Sequence, residues 1–358
     1  MTAGNDTTAA TTLATEIGMD AHNQRLDRVL VQLAPEFSRN HLQSLIERGC
    51  VLLDGVAQGS ASKRVRMGQQ LQVTLLPTAQ SLSFTPEAMA LPIVFEDDHL
   101  MVVNKPVGLV VHPAAGNWSG TLLNGLLAHH AVAQHLPRAG LVHRLDKDTS
   151  GLMVVAKTLE THTALARQIA AREVHRQYLA LILGWLPPAP LSISAPIGRD
   201  PRARIRMAVT TRGGKPARTH VQVLQQALLP IAGSKIPQRV SRVRCVLDTG
   251  RTHQIRVHLS HKGWPLVGDA LYGGKALPGL ERQGLHAHRL EFTHPATGAP
   301  LAFEADWPQD LSDFWAQCEI TLDATEDALT RLDLADDDEI DDDWDDDLDG
   351  AESVWVRG

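Results

Sequence analysis

The sequence predicts an α+β protein with a small N-terminal domain and a larger domain built on a mixed, largely antiparallel sheet. Two short helices and a small β element are indicated between residues 24 and 76. A polar segment bounded by Pro77 and Pro92 follows, and such a segment is typical of a linker between separately packed units. From Ile93 to Trp307, short apolar strands alternate with a few helices.

The N-terminal domain opens with the two helices. Leu26, Leu30 and Leu33 recur at helical spacing. A second helix is predicted from Ser38, a good N-cap residue, to Gly49, a good stop. Residues 1–23 have no Lys or Arg and are rich in Thr and Ala, so they lack the features of a targeting signal and are expected to be a disordered leader.

The β element runs from Val51 to Leu75 and contains an Asp54-Gly55 turn, a dipeptide favoured in tight hairpins. Seven basic side chains of this domain suit either phosphate contacts or an ordinary solvated face: Arg25, Arg28, Arg39, Arg48, Lys63, Arg64 and Arg66. The spacing alone favours neither interpretation.

In the larger domain, segments such as 99–104, 240–247 and 289–292 are predicted strands. The sequence HRLDKDTSG at 143–151 predicts a glycine-closed loop, and the apolar run after it predicts a buried strand. Loops at the ends of rigid strands commonly carry catalytic groups, so Asp146 is a candidate. A lone Asp in a turn is nevertheless more often structural.

The segment 252–262 predicts a helix in which Ile255 and Leu259 pack inward and Arg256 lies beside their apolar face. Spacing alone also fits Arg256 as a plain phosphate contact. Tyr178, one of two tyrosines, is by the same reasoning a core aromatic residue on a strand.

Charge is distributed unevenly along the chain. The net charge of -7 combines +7 over residues 1–322 with -14 over residues 323–358. The acidic segment is expected to be a disordered tail, because like charges at this density repel each other. The basic body suits a polyanionic partner.

Several classes of protein are not indicated. The three cysteines are widely spaced, which fits a reduced cytoplasmic protein, and no apolar stretch is long enough to cross a membrane. The sequence has no GxGxxG or GxxxxGK[ST] motif, and it has no HExxH or Cys/His cluster. No cofactor and no metal are therefore predicted.

Several long motifs in a fixed order carry a resemblance to a known family. HRLDKDTSG is followed by DTGRTHQIRVH at 248–258 and GDALYGG at 268–274, and further matching segments lie at 104–113, 176–180 and 195–201. Together they resemble the RluA family of RNA pseudouridine synthases over about residues 95–310. The resemblance implies the pseudouridine synthase fold for residues 93–322. Residues 24–76 resemble the small S4 (α-L) RNA-binding domain.

The resemblance also implies the chemistry. A uracil is detached from its ribose at N1 and rejoined through C5 without redox chemistry or a cofactor, and Asp146 is the nucleophile, attacking either the ribose or the base. Arg256 matches the family arginine that pairs with this carboxylate. Tyr178 matches the tyrosine that stacks on the target uracil and can shuttle a proton.

RNA contacts are implied for a further set of residues. Arg144 resembles the arginine that fills the gap left by the flipped-out nucleotide, whereas His143 and Thr149 are expected to hold the loop. The RNA groove is expected to be lined by Asn104, Lys105, His112, Arg199, Arg202, Arg204, Arg206 and Lys215. In the S4-like domain, Arg39, Arg48, Lys63 and Arg64 are expected to bind phosphate groups.

The implied function is the isomerisation of specific uridines in 23S large-subunit ribosomal RNA, at helix 69, by a cytoplasmic monomer that acts on free RNA or on a subunit precursor. Another large-subunit site is the first alternative. A non-catalytic ribosome-assembly factor that uses only its S4-like domain is the second. A glycosidase, which would need a second carboxylate such as Asp148, is the third.

Overall fold

The computed structural model describes residues 11–35, 37–76, 81–114, 116–203 and 205–324. The chain divides into two compact units between Thr85 and Pro86, inside the segment 77–92 predicted as a linker. Residues 1–10 of the expected leader and residues 325–358 of the expected acidic tail lie outside the described residues.

The first unit contains two helices and a four-stranded antiparallel sheet in the order β1-β4-β2-β3. Its elements are β1 (Thr11–Glu16), α1 (Leu26–Leu33), α2 (Arg39–Glu47), β2 (Val51–Leu53), β3 (Val56–Ala57) and β4 (Gln70–Leu75). Both predicted helices are confirmed.

Local chemistry accounts for these elements. The hydroxyl oxygen of Ser38 accepts a hydrogen bond from the backbone N–H of His41 at 3.3 Å and so caps α2. Asp54 and Gly55 both have positive φ, at 50° and 79°, as a two-residue turn between β2 and β3 requires. Leu26 and Leu30 are fully buried between the helices and the sheet.

The prediction that all of residues 1–23 are a disordered leader is wrong for residues 11–23. β1 pairs with β4 along its whole length, and the Ile17 side chain, 2% exposed, lies in the core of the unit. A segment without Lys or Arg and rich in Thr and Ala can still pair where a neighbouring strand offers an open edge. The sequence contained no indication of that edge, because the partner strand lies about sixty residues further along.

The second unit is larger and contains twelve described strands. They are β5 (Ile93–Glu96), β6 (Leu100–Lys105), β7 (Ser150–Ala156), β8 (His175–Leu183), β9 (Leu191–Ser194), β10 (Ile197–Arg199), β11 (Met207–Val209), β12 (Arg218–Leu229), β13 (Gln238–Leu247), β14 (Leu285–Thr293), β15 (Pro300–Glu304) and β16 (Glu319–Asp323). The helices are α3 (Leu122–His129), α4 (Leu159–Ala170), α5 (Gln254–His261) and α6 (Gln309–Ala316).

Ten of these strands form one sheet. Eight follow the order β16-β12-β13-β8-β14-β7-β6-β5, while β15 pairs with β14 and β9 pairs with β12. Only β7 and β14 run parallel among the paired strands that the structure describes. The predicted mixed, largely antiparallel sheet of an α+β protein is therefore confirmed, and β10 and β11 form a separate hairpin.

Helices cover both faces of this sheet. The apolar residues of α3 and α5 pack on one face, together with Met153 and Val155 of β7. Those of α4 pack on the other face with Leu152 and Val154. β7 is therefore buried along its entire length, as its continuous apolar sequence predicts. No described helix is both long and apolar enough to cross a membrane.

Candidate active site

The loop that carries Asp146 leads directly into β7, at the centre of the sheet. Gly151, at the start of this strand, has φ +117° and lies against β14. A Cβ atom at this position would lie 2.2 Å from the carbonyl oxygen of Ala287. Only glycine permits the two parallel strands to approach this closely, which explains the glycine that closes the HRLDKDTSG motif.

Side chains on both sides of Asp146 fix this loop. The buried His143 accepts a hydrogen bond at Nε2 from the backbone N–H of Val154 at 3.1 Å. The hydroxyl oxygen of Thr149 accepts one from Nε2 of Gln283 at 2.6 Å. The predicted loop-holding role of His143 and Thr149 is confirmed by these contacts.

Two cations also hold the loop through its backbone. Arg282 donates from Nη1 to the carbonyl oxygen of Asp148 at 3.2 Å, while its Nε and Nη2 atoms bind Asp310 at 2.7 and 3.0 Å. The ammonium group of Lys105 donates to three carbonyl oxygens, those of Pro106, Leu109 and Lys147, at 2.9 to 3.0 Å.

The prediction that Lys105 lies in an RNA groove is therefore wrong. Its side chain is 1% exposed, and its three N–H groups are used inside the protein. Burial lowers the pKa of Lys105 to about 8, while the negative charges of Asp146 and Asp148 oppose this shift. A sequence shows that a lysine is present but not that three carbonyl oxygens will surround it.

The predicted helix around Arg256 is present as α5. Ile255 and Leu259 are buried in the core, at 3% and 0% exposure. Arg256 points from this helix to the loop, where its Nη1 atom lies 2.8 Å from Oδ2 of Asp146. The pairing expected from the resemblance is thus present in the structure.

Asp269 holds the other side of the same guanidinium group. Its Oδ2 lies 2.7 Å from Nε of Arg256 and its Oδ1 lies 2.9 Å from Nη2, a bidentate geometry. Asp269 is 2% exposed. The centroid of the Tyr272 ring lies 4.9 Å from the guanidinium carbon of Arg256. Arg256 therefore bridges two carboxylates while its own side chain is largely buried.

His253 faces the second oxygen of Asp146. Its Nε2 atom lies 3.7 Å from Oδ1, and its Nδ1 atom is hydrogen-bonded to the Tyr272 hydroxyl at 2.7 Å. The sequence patterns predict no role for His253, Asp269 or Tyr272. The signal was present, because all three lie in the motifs DTGRTHQIRVH and GDALYGG that carried the resemblance.

The electrostatics of the site keep Asp146 ionised. Burial pushes the pKa of the Asp146 carboxyl upward, but the positive charges of His253, when this ring is protonated, and of Arg256 outweigh it and hold this pKa below its ordinary value. Burial also lowers the pKa of His253, so this ring is neutral at neutral pH. Arg256 therefore supplies the lasting positive charge beside Asp146.

A cavity of about 140 Å³ opens beside Asp146 and Tyr178. Asp146 is 16% exposed at this surface, and Tyr178, on β8, is 6% exposed. Burial raises the pKa of the Tyr178 hydroxyl, which therefore keeps its proton at neutral pH. The other lining residues include several basic side chains: His112, Arg138, Arg144, Arg176, Lys215 and Arg251.

The other residues predicted to bind RNA lie in both units. Arg144 and His112 line the cavity. Asn104 is half-buried on β6 and is not one of the described residues that line this cavity. Arg199 is exposed at the end of β10, and Arg204 lies outside the described residues. In the first unit, Arg48, Lys63 and Arg64 are exposed, and Arg39 binds the buried Asp27 at 2.7 Å.

The described residues contain no group of three or more His, Cys, Asp or Glu side chains placed to hold a metal ion.

Comparison with known proteins identifies both units. Residues 99–261 match the RNA pseudouridylate synthase family, and residues 24–71 match the S4 domain. A relative from Neisseria meningitidis serogroup B, called ribosomal large subunit pseudouridine synthase D, is 46% identical over 93% of this chain and 89% of its own length. A relative of the same name from Nitrosomonas europaea is 48% identical over 80% of this chain and 82% of its own length.

A solved structure agrees with these sequence matches. Human RNA pseudouridylate synthase domain containing 1 superposes with a TM-score of 0.52 at 28% identity, covering 74% of this chain and 100% of the human chain. Both members of the ion pair, Asp146 and Arg256, lie inside the range that matches the synthase family, residues 99–261. The chain therefore belongs to the RNA pseudouridine synthase family, as an enzyme with an S4 domain ahead of its catalytic domain.

Proposed function

We propose that this enzyme converts uridines of large-subunit ribosomal RNA to pseudouridine, with Asp146 as the nucleophile. The observation that carries the proposal is the Asp146 carboxylate, held by Arg256 at 2.8 Å beside a cavity lined by Tyr178 and basic side chains. The names of the full-length relatives indicate the substrate class.

The reaction follows from these groups. Asp146 attacks the target nucleoside at the ribose or at the base, and the bond between N1 and C1′ breaks. The uracil turns on the ring of Tyr178, a new bond joins C5 to C1′, and the bond to Asp146 breaks with its electron pair returning to the carboxylate. The proton leaves C5 while N1 gains one, so Asp146 is restored and no atom or electron is supplied from outside.

Access to the reacting atoms requires the nucleotide to leave its helix. We assign Arg144, exposed at the cavity, to the space vacated by the flipped nucleotide. In the S4 domain, the exposed Arg48, Lys63 and Arg64 are assigned to phosphate groups. The proposed target is helix 69, and the enzyme acts as a cytoplasmic monomer.

The alternatives are less well supported by the geometry. In the described residues Asp148 does not line the cavity beside Asp146; it borders a separate recess with Asp269 and Asp310. The geometry therefore does not support Asp148 as the second carboxylate of a glycosidase. An assembly factor without catalysis would have no use for a buried, charge-paired nucleophile next to a base-sized cavity.

The test starts from ribosomal RNA that lacks the modification. After incubation with the enzyme, the positions of pseudouridine in this RNA are mapped directly. The wild-type enzyme should modify helix 69, whereas Asp146→Asn, which keeps the size and most polar contacts of the side chain, should bind this RNA and form no product. Product from Asp146→Asn, with deamidation excluded by mass spectrometry, would refute the nucleophile. Product only at other large-subunit sites would refute helix 69, and product in none would refute the substrate class.

A further inference from the structure

His253 has an unusual backbone conformation next to the reacting carboxylate. It immediately precedes α5 with φ 56° and ψ 22°, in the left-handed region that few residues other than glycine adopt, Asn, Asp and His more often than the rest. Nonglycine residues held there commonly serve a functional site. The conformation places the imidazole between Asp146 and Tyr272.

The hydrogen bonds of Tyr272 determine which ring nitrogen of His253 carries the proton. The Tyr272 hydroxyl oxygen accepts the backbone N–H of Met207 at 2.9 Å. Burial raises the pKa of Tyr272, so its hydroxyl keeps its own proton. The Nδ1 atom of His253, at 2.7 Å, is the acceptor for that proton.

A neutral imidazole that accepts at Nδ1 carries its proton at Nε2. This nitrogen faces Oδ1 of Asp146 at 3.7 Å, while Arg256 holds Oδ2 at 2.8 Å. The two carboxylate oxygens therefore face two different donors. Such contacts are commonly long in a free enzyme and shorten when the substrate binds.

We propose that His253 is a positioning residue, which presents a fixed Nε2–H group to Oδ1 of Asp146, and that Tyr272 sets its tautomer. Arg256 then anchors one oxygen of the nucleophile, and His253 orients the other toward the cavity. The proposal rests on the proposed function, since it assigns Asp146 the reacting role.

Two substitutions of His253 separate this role from a role in the backbone. The amide nitrogen of Gln reaches the position of Nε2, whereas the shorter amide of Asn reaches only that of Nδ1. Asn, however, adopts the left-handed conformation far more readily than Gln. A donor role predicts that His253→Gln retains the faster single-turnover rate, by at least about tenfold, with similar RNA affinity. A merely structural role predicts the opposite order.

The tautomer can be measured without any turnover. Long-range ¹H–¹⁵N NMR spectra of the full-length protein, labelled at histidine, should show His253 protonated at Nε2, with its signals assigned by their absence in His253→Gln. In Tyr272→Phe, which keeps the ring over Arg256, the Nδ1–H form should appear. A wild-type His253 protonated at Nδ1, or an unchanged tautomer in Tyr272→Phe, would overturn the proposal even if Asp146 is the nucleophile. A faster His253→Asn than His253→Gln would do the same.

Discussion

Replacement of Asp269 by Asn should slow the reaction strongly without affecting RNA affinity. The Asp269 carboxylate binds Arg256 through two contacts of 2.7 and 2.9 Å and is 2% exposed, so it cannot itself touch RNA. Asn has nearly the same shape but no charge, and its amide group turns one acceptor into a donor that faces an N–H of Arg256. One hydrogen bond is lost, and a repulsive contact replaces it.

The magnitude follows from these contacts. A hydrogen bond to a charged group is worth about 1.5–3 kcal/mol. Loss of one partner of a buried ion pair costs about 3–5 kcal/mol. Arg256 keeps Asp146 as a second partner, so a loss near the lower values, about 2–3 kcal/mol, is expected. If half or more of this loss is felt in the transition state, the rate falls by a factor between about five and about 160.

Single-turnover kinetics on helix 69 RNA provide the assay, with RNA affinity measured separately. Asp27→Asn is the matched control, because Asp27 is also a fully buried carboxylate held by arginines but belongs to the other unit. It should lower stability and leave the rate at saturating RNA unchanged. A folded Asp269→Asn enzyme with the wild-type rate, or with a loss confined to RNA affinity, would refute the assigned role of Asp269.

Three further outcomes are expected. Tyr178→Phe should react at least about tenfold faster than Tyr178→Ala, because the phenyl ring still stacks on uracil, and equal single-turnover rates would remove the stacking role. Hydrogen bonds from Arg25, then Arg39 and Gln43, hold the pKa of Asp27 well below its usual range against the effect of burial. This contribution to stability is complete above about pH 4 and is lost at lower pH, so acid titration monitored by circular dichroism should show a decline that Asp27→Asn lacks. Gly151→Ala should destabilise the catalytic domain by several kcal/mol, about 3 or more, since its Cβ has no space beside Ala287; a thermal midpoint equal to wild type would contradict the close approach of β7 and β14.

The fold was predictable wherever local patterns determine it. Ile255 and Leu259 predicted α5 from their spacing, and the Asp54-Gly55 dipeptide predicted its turn. The ion pair of Asp146 and Arg256, 110 residues apart, was predictable only through the family resemblance. Neither periodicity nor composition predicts that two residues so far apart in the sequence are in contact.

What the sequence did not predict depends on tertiary contacts. β1 forms because β4 offers an edge, and Lys105 is buried because three carbonyl oxygens converge on it. In the sequence, Asp269 is one polar residue of a glycine-rich motif. In the structure, its Oδ2 atom lies 2.7 Å from Nε of Arg256. In each case the missing information was the identity of a distant partner.

The charges around Asp146 give the cavity a polarity of its own. Asp146, which lines the cavity, forms with Arg256 and Asp269 a cluster of one net negative charge, whereas Arg138, Arg144 and Arg251 line the same cavity together with one other carboxylate, Asp248. Phosphate groups are therefore attracted to the arginines and repelled from Asp146, while an uncharged uracil meets no such repulsion. The cavity thus sorts the parts of one nucleotide by charge. Added salt should weaken the attraction between the RNA phosphates and the arginines much more than it weakens the binding of uracil in the cavity.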